Sequence, residues 1–188
     1  MKYYFSTIAQ IVLKDLKIEL RTKETIVPTF KNAKFWCSKS HWEWATESPN
    51  TREKASFLKE NLQPIKDSGQ LNLFNSDNDG FCPDLGLDLL LFNGHTEKMA
   101  LPKIKYKEKT ILFASDLVPT AGHIPVPYLM GYDIRPLITM EEKERVLQNA
   151  VQNDVLLFLQ HDPYNEVVSL KNTGKGVRLD QSTSLKKL

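Results

Sequence analysis

Three segments of the sequence place a histidine or an aspartate within three residues of the end of a short apolar run. The pairs are Leu87–Phe92 with His95, residues 110–114 with Asp116, and residues 155–159 with His161 and Asp162. Short apolar runs bounded by Gly, Asn or Asp indicate buried strands, and loops at strand ends commonly carry the reactive side chains of a rigid scaffold. We therefore expect the three loops to lie together at one rim.

The residue types at this rim are those that bind transition metals. Two imidazoles and one carboxylate suit a borderline-soft ion such as zinc, at about 2.0–2.2 Å, with a further position left for water. His95, Asp116 and His161 are therefore candidate metal ligands, although the residues alone do not decide whether the set is complete. Each also has a structural alternative. A histidine after glycine, such as His95, is common in turns, an aspartate at a strand end, such as Asp116, often forms an Asx turn, and His161 before Asp-Pro can cap a strand.

Other catalytic chemistries lack support in the sequence. No serine stands in a Gly-x-Ser-x-Gly setting, and no glycine-rich loop of the kind that cradles phosphate is present. The two cysteines, Cys37 and Cys82, lie in apolar surroundings and form no disulfide framework, which favours a reducing cytoplasm. The 25 basic and 23 acidic residues give a net charge of +2, too small to drive binding to nucleic acid or an anionic membrane.

The elements that would position these residues follow from hydrophobic patterning. A chain of 188 residues predicts one domain. We expect a weak hairpin in residues 1–26, an extended segment over 26–36, a short helical turn over 40–45 and a strand over Leu71–Phe74. No run approaches the about 20 apolar residues that a membrane span needs.

Two amphipathic helices are predicted by their capping signals. The first covers residues 50–65, with Asn50 as N-cap and Glu53 three residues later, and the second covers 140–151 after a capping box that begins at Thr139. A closing hairpin follows over 166–171 and 177–179, with a frayed basic tail over 181–188. Strands alternating with helices predict an α/β or α+β fold, with helices packed on a sheet.

The loop motifs resemble those of a known family. Asn93-Gly94-His95-Thr96, Phe113-Ala114-Ser115-Asp116-Leu117 and Leu159-Gln160-His161-Asp162 are similar to the last three metal motifs of the metallo-β-lactamase-fold hydrolases. Residues 29–36 and 42–45 resemble the branch with lactonase-like and organophosphate-hydrolase-like members. The resemblance runs from about residue 25 to 180. It implies a partial αββα sandwich, mainly the C-terminal half, after a divergent or truncated segment 1–24.

The resemblance also implies roles for individual residues. His95 would bind the first metal ion, Asp116 would bridge both ions at the catalytic centre, and His161 would bind the second. A zinc pair of this kind supplies a hydroxide for hydrolysis of a small ester, lactone or phosphoester. His123, in the stiff loop after Asp116, and Asp162 are candidates for the rim or for supporting a ligand, and a structural role is an equal alternative for both.

One departure from the family pattern matters for activity. The family carries an earlier His-x-His-x-Asp-His motif that supplies ligands to both metals, whereas the first histidine of this chain is His41. The chain therefore resembles the C-terminal portion of a hydrolase. The origin of such a portion could be a shortened gene, a frameshift or a split protein. We expect at most one weakly bound zinc ion and impaired or absent activity. The alternatives are a non-catalytic interaction module, which could form homo-oligomers through an exposed sheet, and half of a split enzyme.

Overall fold

The structure is a computed structural model that describes residues 32–47, 50–75 and 78–188. The chain divides into two units, one up to Asn75 and one from Ser76 to Leu188. The hairpin predicted in residues 1–26 and the boundary predicted after residue 24 lie outside the described residues. In the described part of the chain, no helix is long and apolar enough to cross a membrane.

The described part of the first unit contains a small parallel sheet and two helices. Its elements in chain order are β1 (Phe35–Ser38), α1 (Lys39–Glu47), α2 (Lys59–Asp67) and β2 (Leu71–Phe74). Strand β1 pairs with β2 in parallel. The predicted strand at Leu71–Phe74 is confirmed, and the helical turn predicted over 40–45 is a helix of nine residues.

The helix predicted over residues 50–65 is wrong in its first half. Asn50 Oδ1 does accept hydrogen bonds from the amides of Arg52 and Glu53, at 2.9 and 3.0 Å, as a capping residue does. However, residues 51–57 form turns, and the regular helix starts only at Lys59, after an extended Leu58. The capping signal was therefore present, but it initiates a turn that is not continued into the helix.

The second unit is built on a seven-stranded sheet. Its strands are β3 (Gly80–Cys82), β4 (Leu87–Phe92), β5 (Met99–Tyr106), β6 (Lys109–Phe113), β7 (Val155–Phe158), β8 (Val167–Thr173) and β9 (Gly176–Thr183). They pair in chain order, and only β6 and β7 run parallel. Because β4 and β6 are both antiparallel to β5, they run in the same direction as each other and as β7. The C-terminal ends of β4, β6 and β7 therefore meet at one edge.

Strand β5 was not predicted from the sequence, although it lies between β4 and β6. Pro102 stands within it, and a proline normally argues against a central strand because it cannot donate to the ladder. Pro102 is opposite Leu89 of β4, whereas pairing with β6 begins only at Lys103. Pro102 therefore lies in the part of β5 that pairs with β4 only, just before the residues that also pair with β6.

Helix α3 (Pro136–Gln152) connects β6 to β7 and covers one face of the sheet. Its inner residues include Val146, Leu147 and Ala150, which pack with alternate strand residues such as Leu112 and Leu157. The predicted helix over 140–151 is confirmed, but its predicted start is wrong. Pro136 occupies the first turn, where a missing N–H costs nothing.

The closing hairpin is confirmed, but it is longer than predicted. Strand β9 continues to Thr183, and a short 3₁₀ helix, Leu185–Lys187, follows it. Leu185 and Leu188 pack with the cluster of Ile111, Leu156 and Val167 on the sheet face opposite the α3 cluster. The last residues are therefore an ordered part of the second unit, and the expected frayed tail is not observed.

Candidate metal centre

The three candidate ligands lie together at the edge where β4, β6 and β7 end. Asp116 stands between two imidazoles, with its Oδ1 atom 3.0 Å from His161 Nε2 and its Oδ2 atom 3.5 Å from His95 Nε2. The exposed fraction of the side chain is 14% for His95, 28% for Asp116 and 36% for His161. The cluster is therefore half-buried and accessible to a small ligand.

His95 is held by contacts between its loop and helix α3. The carboxylate of Glu142 accepts hydrogen bonds from the amides of Asn93, at 2.7 Å, and Gly94, at 3.0 Å. Burial raises the pKa of Glu142, and these two amides partly oppose the increase. Glu142 was predicted to close a capping box with Thr139, but Thr139 lies inside the helix, where its amide donates to the Arg135 carbonyl.

Gly94 is required by the close approach of this loop to the first turn of α3. A Cβ at position 94 would overlap the backbone of Thr139. Backbone hydrogen bonds also join this loop to the segment before α3. The amide of Ile134 donates to the carbonyl of His95 at 3.3 Å, and the amide of Arg135 donates to that of Gly94 at 2.9 Å. The glycine of the Asn-Gly-His segment therefore brings the histidine loop against the segment that precedes the helix.

Asp133, which no sequence motif indicated, contacts the Nδ1 atom of His95. Asp133 is 2% exposed, and its Oδ1 atom lies 2.7 Å from His95 Nδ1. Its other oxygen is buried and has no hydrogen-bond partner. No local motif marked this aspartate, because it lies 38 residues after the histidine and in an irregular segment. The only sequence signal was a carboxylate close before a proline-initiated helix.

Asp116 is presented by a sharp turn after β6. Ser115 adopts a left-handed conformation with φ of 46°, and the Leu117 amide then donates to the Ala114 carbonyl at 3.1 Å. Ser115 is buried, so the turn is fixed by its surroundings. A side chain at such a turn is directed away from the strand axis and is well placed to meet its neighbours at the edge.

The loop that carries His161 is fastened to the loop after β6. The His161 amide donates to the Pro119 carbonyl at 3.1 Å, and the Ala121 amide donates to Asp162 Oδ2 at 2.8 Å. Asp162 Oδ1 also accepts from the amides of Tyr164 and Asn165. Burial alone would raise the pKa of Asp162, but these amides lower it below its ordinary value. Asp162 thus fixes the position of His161 relative to Asp116.

His123 lies in the 3₁₀ turn Ala121–His123, and its Nδ1 atom is 2.8 Å from Thr120 Oγ1. Burial lowers its pKa, and the positive charge of Lys143 adds to this effect. In the described part of the chain, no hydrogen bond or ion pair joins His123 to the cluster of His95, Asp116 and His161. Its predicted place at the rim or in support of a ligand stays a prediction.

Lys143 is a buried cation beneath the loop that follows Asp116. The side chain is on α3 and has no exposed surface, and Nζ donates to the carbonyls of His123 at 3.1 Å, Pro125 at 3.2 Å and Tyr128 at 2.6 Å. Burial lowers its pKa to about 8, while the charge of Asp133 acts in the opposite direction. Lys143 therefore holds the segment between β6 and α3 in place.

The donors fit a metal in type and spacing but not in number. Two atoms bound tetrahedrally to one zinc ion lie about 3.3 Å apart, close to both contacts of Asp116. However, each side of Asp116 offers only two donors, one oxygen and one imidazole nitrogen, whereas catalytic zinc takes about three protein ligands. Accordingly, no group of three or more His, Cys, Asp or Glu in residues 32–47, 50–75 and 78–188 is arranged to hold a metal ion.

Comparison with known proteins identifies the fold. No family model and no curated protein sequence matches the chain, but solved structures do. A probable metal-dependent hydrolase from Staphylococcus aureus superposes with a TM-score of 0.68 at 23% identity, over 82% of this chain and 53% of that one. The hydrolase AbOPH of the β-lactamase superfamily gives a TM-score of 0.65 at 17% identity, over 82% of this chain and 56% of that one.

A third solved structure is AidC, a dizinc quorum-quenching lactonase in complex with a product, with a TM-score of 0.62, 18% identity and coverage of 82% of this chain and 56% of AidC. This chain therefore spans little more than half the length of the structures it matches. The large mixed sheet with its helices, and its similarity to these structures, confirm the predicted fold class and the resemblance found in the sequence. The chain has the fold of the metal-dependent hydrolases of the β-lactamase superfamily.

Proposed function

We propose that the chain derives from a metal-dependent hydrolase that cleaves an ester, lactone or phosphoester. The observation that carries the proposal is Asp116, which offers one oxygen to each of two imidazoles. In this proposal His95 would hold a first zinc ion and His161 a second, and Asp116 would be a ligand shared by both. This assignment agrees in residue type and position with the last three motifs of the family.

The proposal includes low activity for the chain by itself. Each metal position has two donors in the described residues, and residues 1–31 contain no histidine. Because affinity falls when protein ligands are missing, at most one zinc ion should bind, and weakly. A hydrolysis substrate is suggested by the solved structures, which include an N-acyl homoserine lactone hydrolase with a product bound at the catalytic metal centre. We therefore propose such lactones as the first substrates to assay.

The test combines zinc titration with hydrolysis assays. Calorimetric titration of the purified chain should show weak zinc binding that is lost in Asp116→Asn and reduced in His161→Ala. Asp154→Asn is a matched control, since Asp154 is an exposed carboxylate paired with Lys109. Equal zinc binding by wild type and Asp116→Asn would overturn the proposed site. Tight stoichiometric binding lost in His161→Ala would instead contradict the proposed impairment.

Lactone hydrolysis measured with added zinc tests the reaction class. Slow turnover that disappears in Asp116→Asn supports the proposal, and turnover unaffected by that substitution refutes it. An interaction module and one half of a split enzyme remain alternative predictions. Light scattering would show the oligomer expected for the first, and activity that arises only on mixing with a second polypeptide would show the second.

A further inference from the structure

The contact between Asp133 and His95 has a consequence for the protonation pattern of the whole cluster. Asp133 is almost fully buried, and one of its oxygens is 2.7 Å from His95 Nδ1. We propose that Asp133 is a positioning residue that holds His95 in the tautomer with its proton on Nδ1. The Nε2 atom of His95 then presents its lone pair to Asp116.

The proton shared by Asp133 and His95 belongs to the imidazole. An ionised carboxylate can only accept hydrogen bonds, so a contact of 2.7 Å places the proton on Nδ1 of the imidazole. The buried ammonium of Lys143 interacts electrostatically with the Asp133 carboxylate. A neutral imidazole with its proton on Nδ1 has an unprotonated Nε2.

Backbone hydrogen bonds keep Asp133 in this position. Its amide donates to the Met130 carbonyl at 3.1 Å, and the next two residues, Ile134 and Arg135, donate to the carbonyls of His95 and Gly94. The aspartate and the histidine therefore sit on two backbone segments that are hydrogen-bonded to each other. The carboxylate cannot withdraw from the ring without breaking these backbone bonds.

The two oxygens of Asp116 lie at different distances from the two imidazoles. His161 Nε2 lies 3.0 Å from Oδ1, a hydrogen-bond distance, whereas His95 Nε2 lies 3.5 Å from Oδ2. The longer separation is expected if the His95 nitrogen bears a lone pair, because it then faces a carboxylate oxygen without a proton between them. The two imidazoles should therefore be opposite tautomers, Nδ1–H in His95 and Nε2–H in His161.

In this arrangement the two sides of Asp116 differ in how readily they would bind a cation. The Nε2 atom of His95 and the Oδ2 atom of Asp116 are both electron-rich, so a cation is attracted between them, and no proton has to leave His95 when it binds. On the other side, a cation must displace the Nε2 proton of His161. This preference for the His95 side rests on the proposed function, whereas the tautomer assignment does not.

Long-range proton–nitrogen NMR spectra of the metal-free chain, labelled with ¹⁵N-histidine, test the tautomers directly. At about pH 9, where an imidazole is ordinarily neutral, wild-type His95 should show a protonated Nδ1 and His161 a protonated Nε2. The opposite tautomer at His95 in the wild-type chain overturns the inference, and this measurement requires no variant to fold.

Variants separate positioning from mere packing. Asp133→Leu keeps a similar shape but removes the acceptor, so the proton of His95 should move to Nε2 and be donated to Asp116. Asp133→Asn keeps an acceptor oxygen and should retain the wild-type tautomer. Asp154→Asn, which alters an exposed carboxylate paired with Lys109, should leave it unchanged. An unchanged tautomer in folded Asp133→Leu refutes the role of Asp133.

The outcome is independent of the proposed function. If His95 has the predicted tautomer but the chain binds no zinc, the hydrolase proposal fails and the assignment to Asp133 stands. If zinc binds but His95 carries its proton on Nε2, the hydrolase proposal stands and the assignment to Asp133 fails.

Discussion

The buried cation Lys143 makes the stability of the fold depend on alkaline pH in a way that a single substitution can reveal. Its ammonium is shielded from solvent and donates to three backbone carbonyls. Lys143→Met removes the charge and its titration but keeps most of the apolar stem. We expect the variant to be less stable at neutral pH, because the three carbonyls lose their partner and each costs about 1–3 kcal/mol when buried unpaired.

The magnitude of the pH effect follows from the pKa of Lys143. Burial lowers this pKa from its ordinary 10.5 to about 8 in the folded state. Between these two values the unfolded chain binds one more proton than the folded chain, so stability rises with pH in that window. One pKa unit corresponds to about 1.4 kcal/mol, and the full rise attributable to Lys143 is therefore about 3 kcal/mol.

Urea unfolding at several pH values between about 7 and 10 measures this effect as the difference between wild type and Lys143→Met. The difference should grow above about pH 8 in favour of the wild type. Lys109→Met is the control, because Lys109 is an exposed lysine paired with Asp154 and should give a nearly constant difference. Parallel curves for wild type and Lys143→Met would refute the reasoning. If the variant does not fold, the NMR titration of Lys143 in the wild type should have its midpoint near pH 8.

Two further predictions concern the loops of the cluster. Gly94→Ala should destabilise the second unit by about 1–3 kcal/mol and displace the NMR signals of His95, since the added Cβ overlaps the backbone of Thr139, whereas Gly174→Ala, with open space around it, should have little effect. Asp162→Asn should cost about 1–2 kcal/mol at neutral pH by urea unfolding, and the cost should begin to shrink as the pH falls below about 4 and vanish only below the lowered pKa of Asp162, because the carboxylate contributes this stability only while it is ionised. A cost that persists in acid would show that shape, and not charge, matters at Asp162.

Sequence patterning predicted the parts of the fold that depend on local information. The apolar runs that form β4, β6 and β7 end within one residue of the expected positions, because a buried strand needs consecutive apolar side chains and its loop needs turn-forming ones. Strand β5 was missed because Pro102 interrupts its pattern. The start of α3 was misplaced because Thr139 and Glu142 have the spacing of a capping box, although Pro136 is the residue that begins the helix.

The contacts beneath the cluster could not be predicted, because they join residues distant in the chain. Asp133 and Lys143 are charged residues, a type that is usually exposed, yet both are buried. Their burial depends on carbonyl and imidazole partners supplied by other elements, and no local rule identifies such partners. Likewise, the pairing of His95, Asp116 and His161 was predicted, but its asymmetry depends on Asp133 and could be recognised only in three dimensions.

Helix α3 determines the geometry of the cluster through two adjacent residues of opposite charge. Glu142 accepts from the amides of the loop that carries His95, and Lys143 donates to the carbonyls of the loop that leads to Asp133. Successive helical side chains point about 100° apart, so one turn can reach a loop on either side. Backbone donors require an anion and backbone acceptors a cation, so exchanging the two charges would leave both loops without partners. The order Glu-Lys is therefore a structural requirement of the cluster, although neither residue contacts Asp116 or His161 in the described part of the chain.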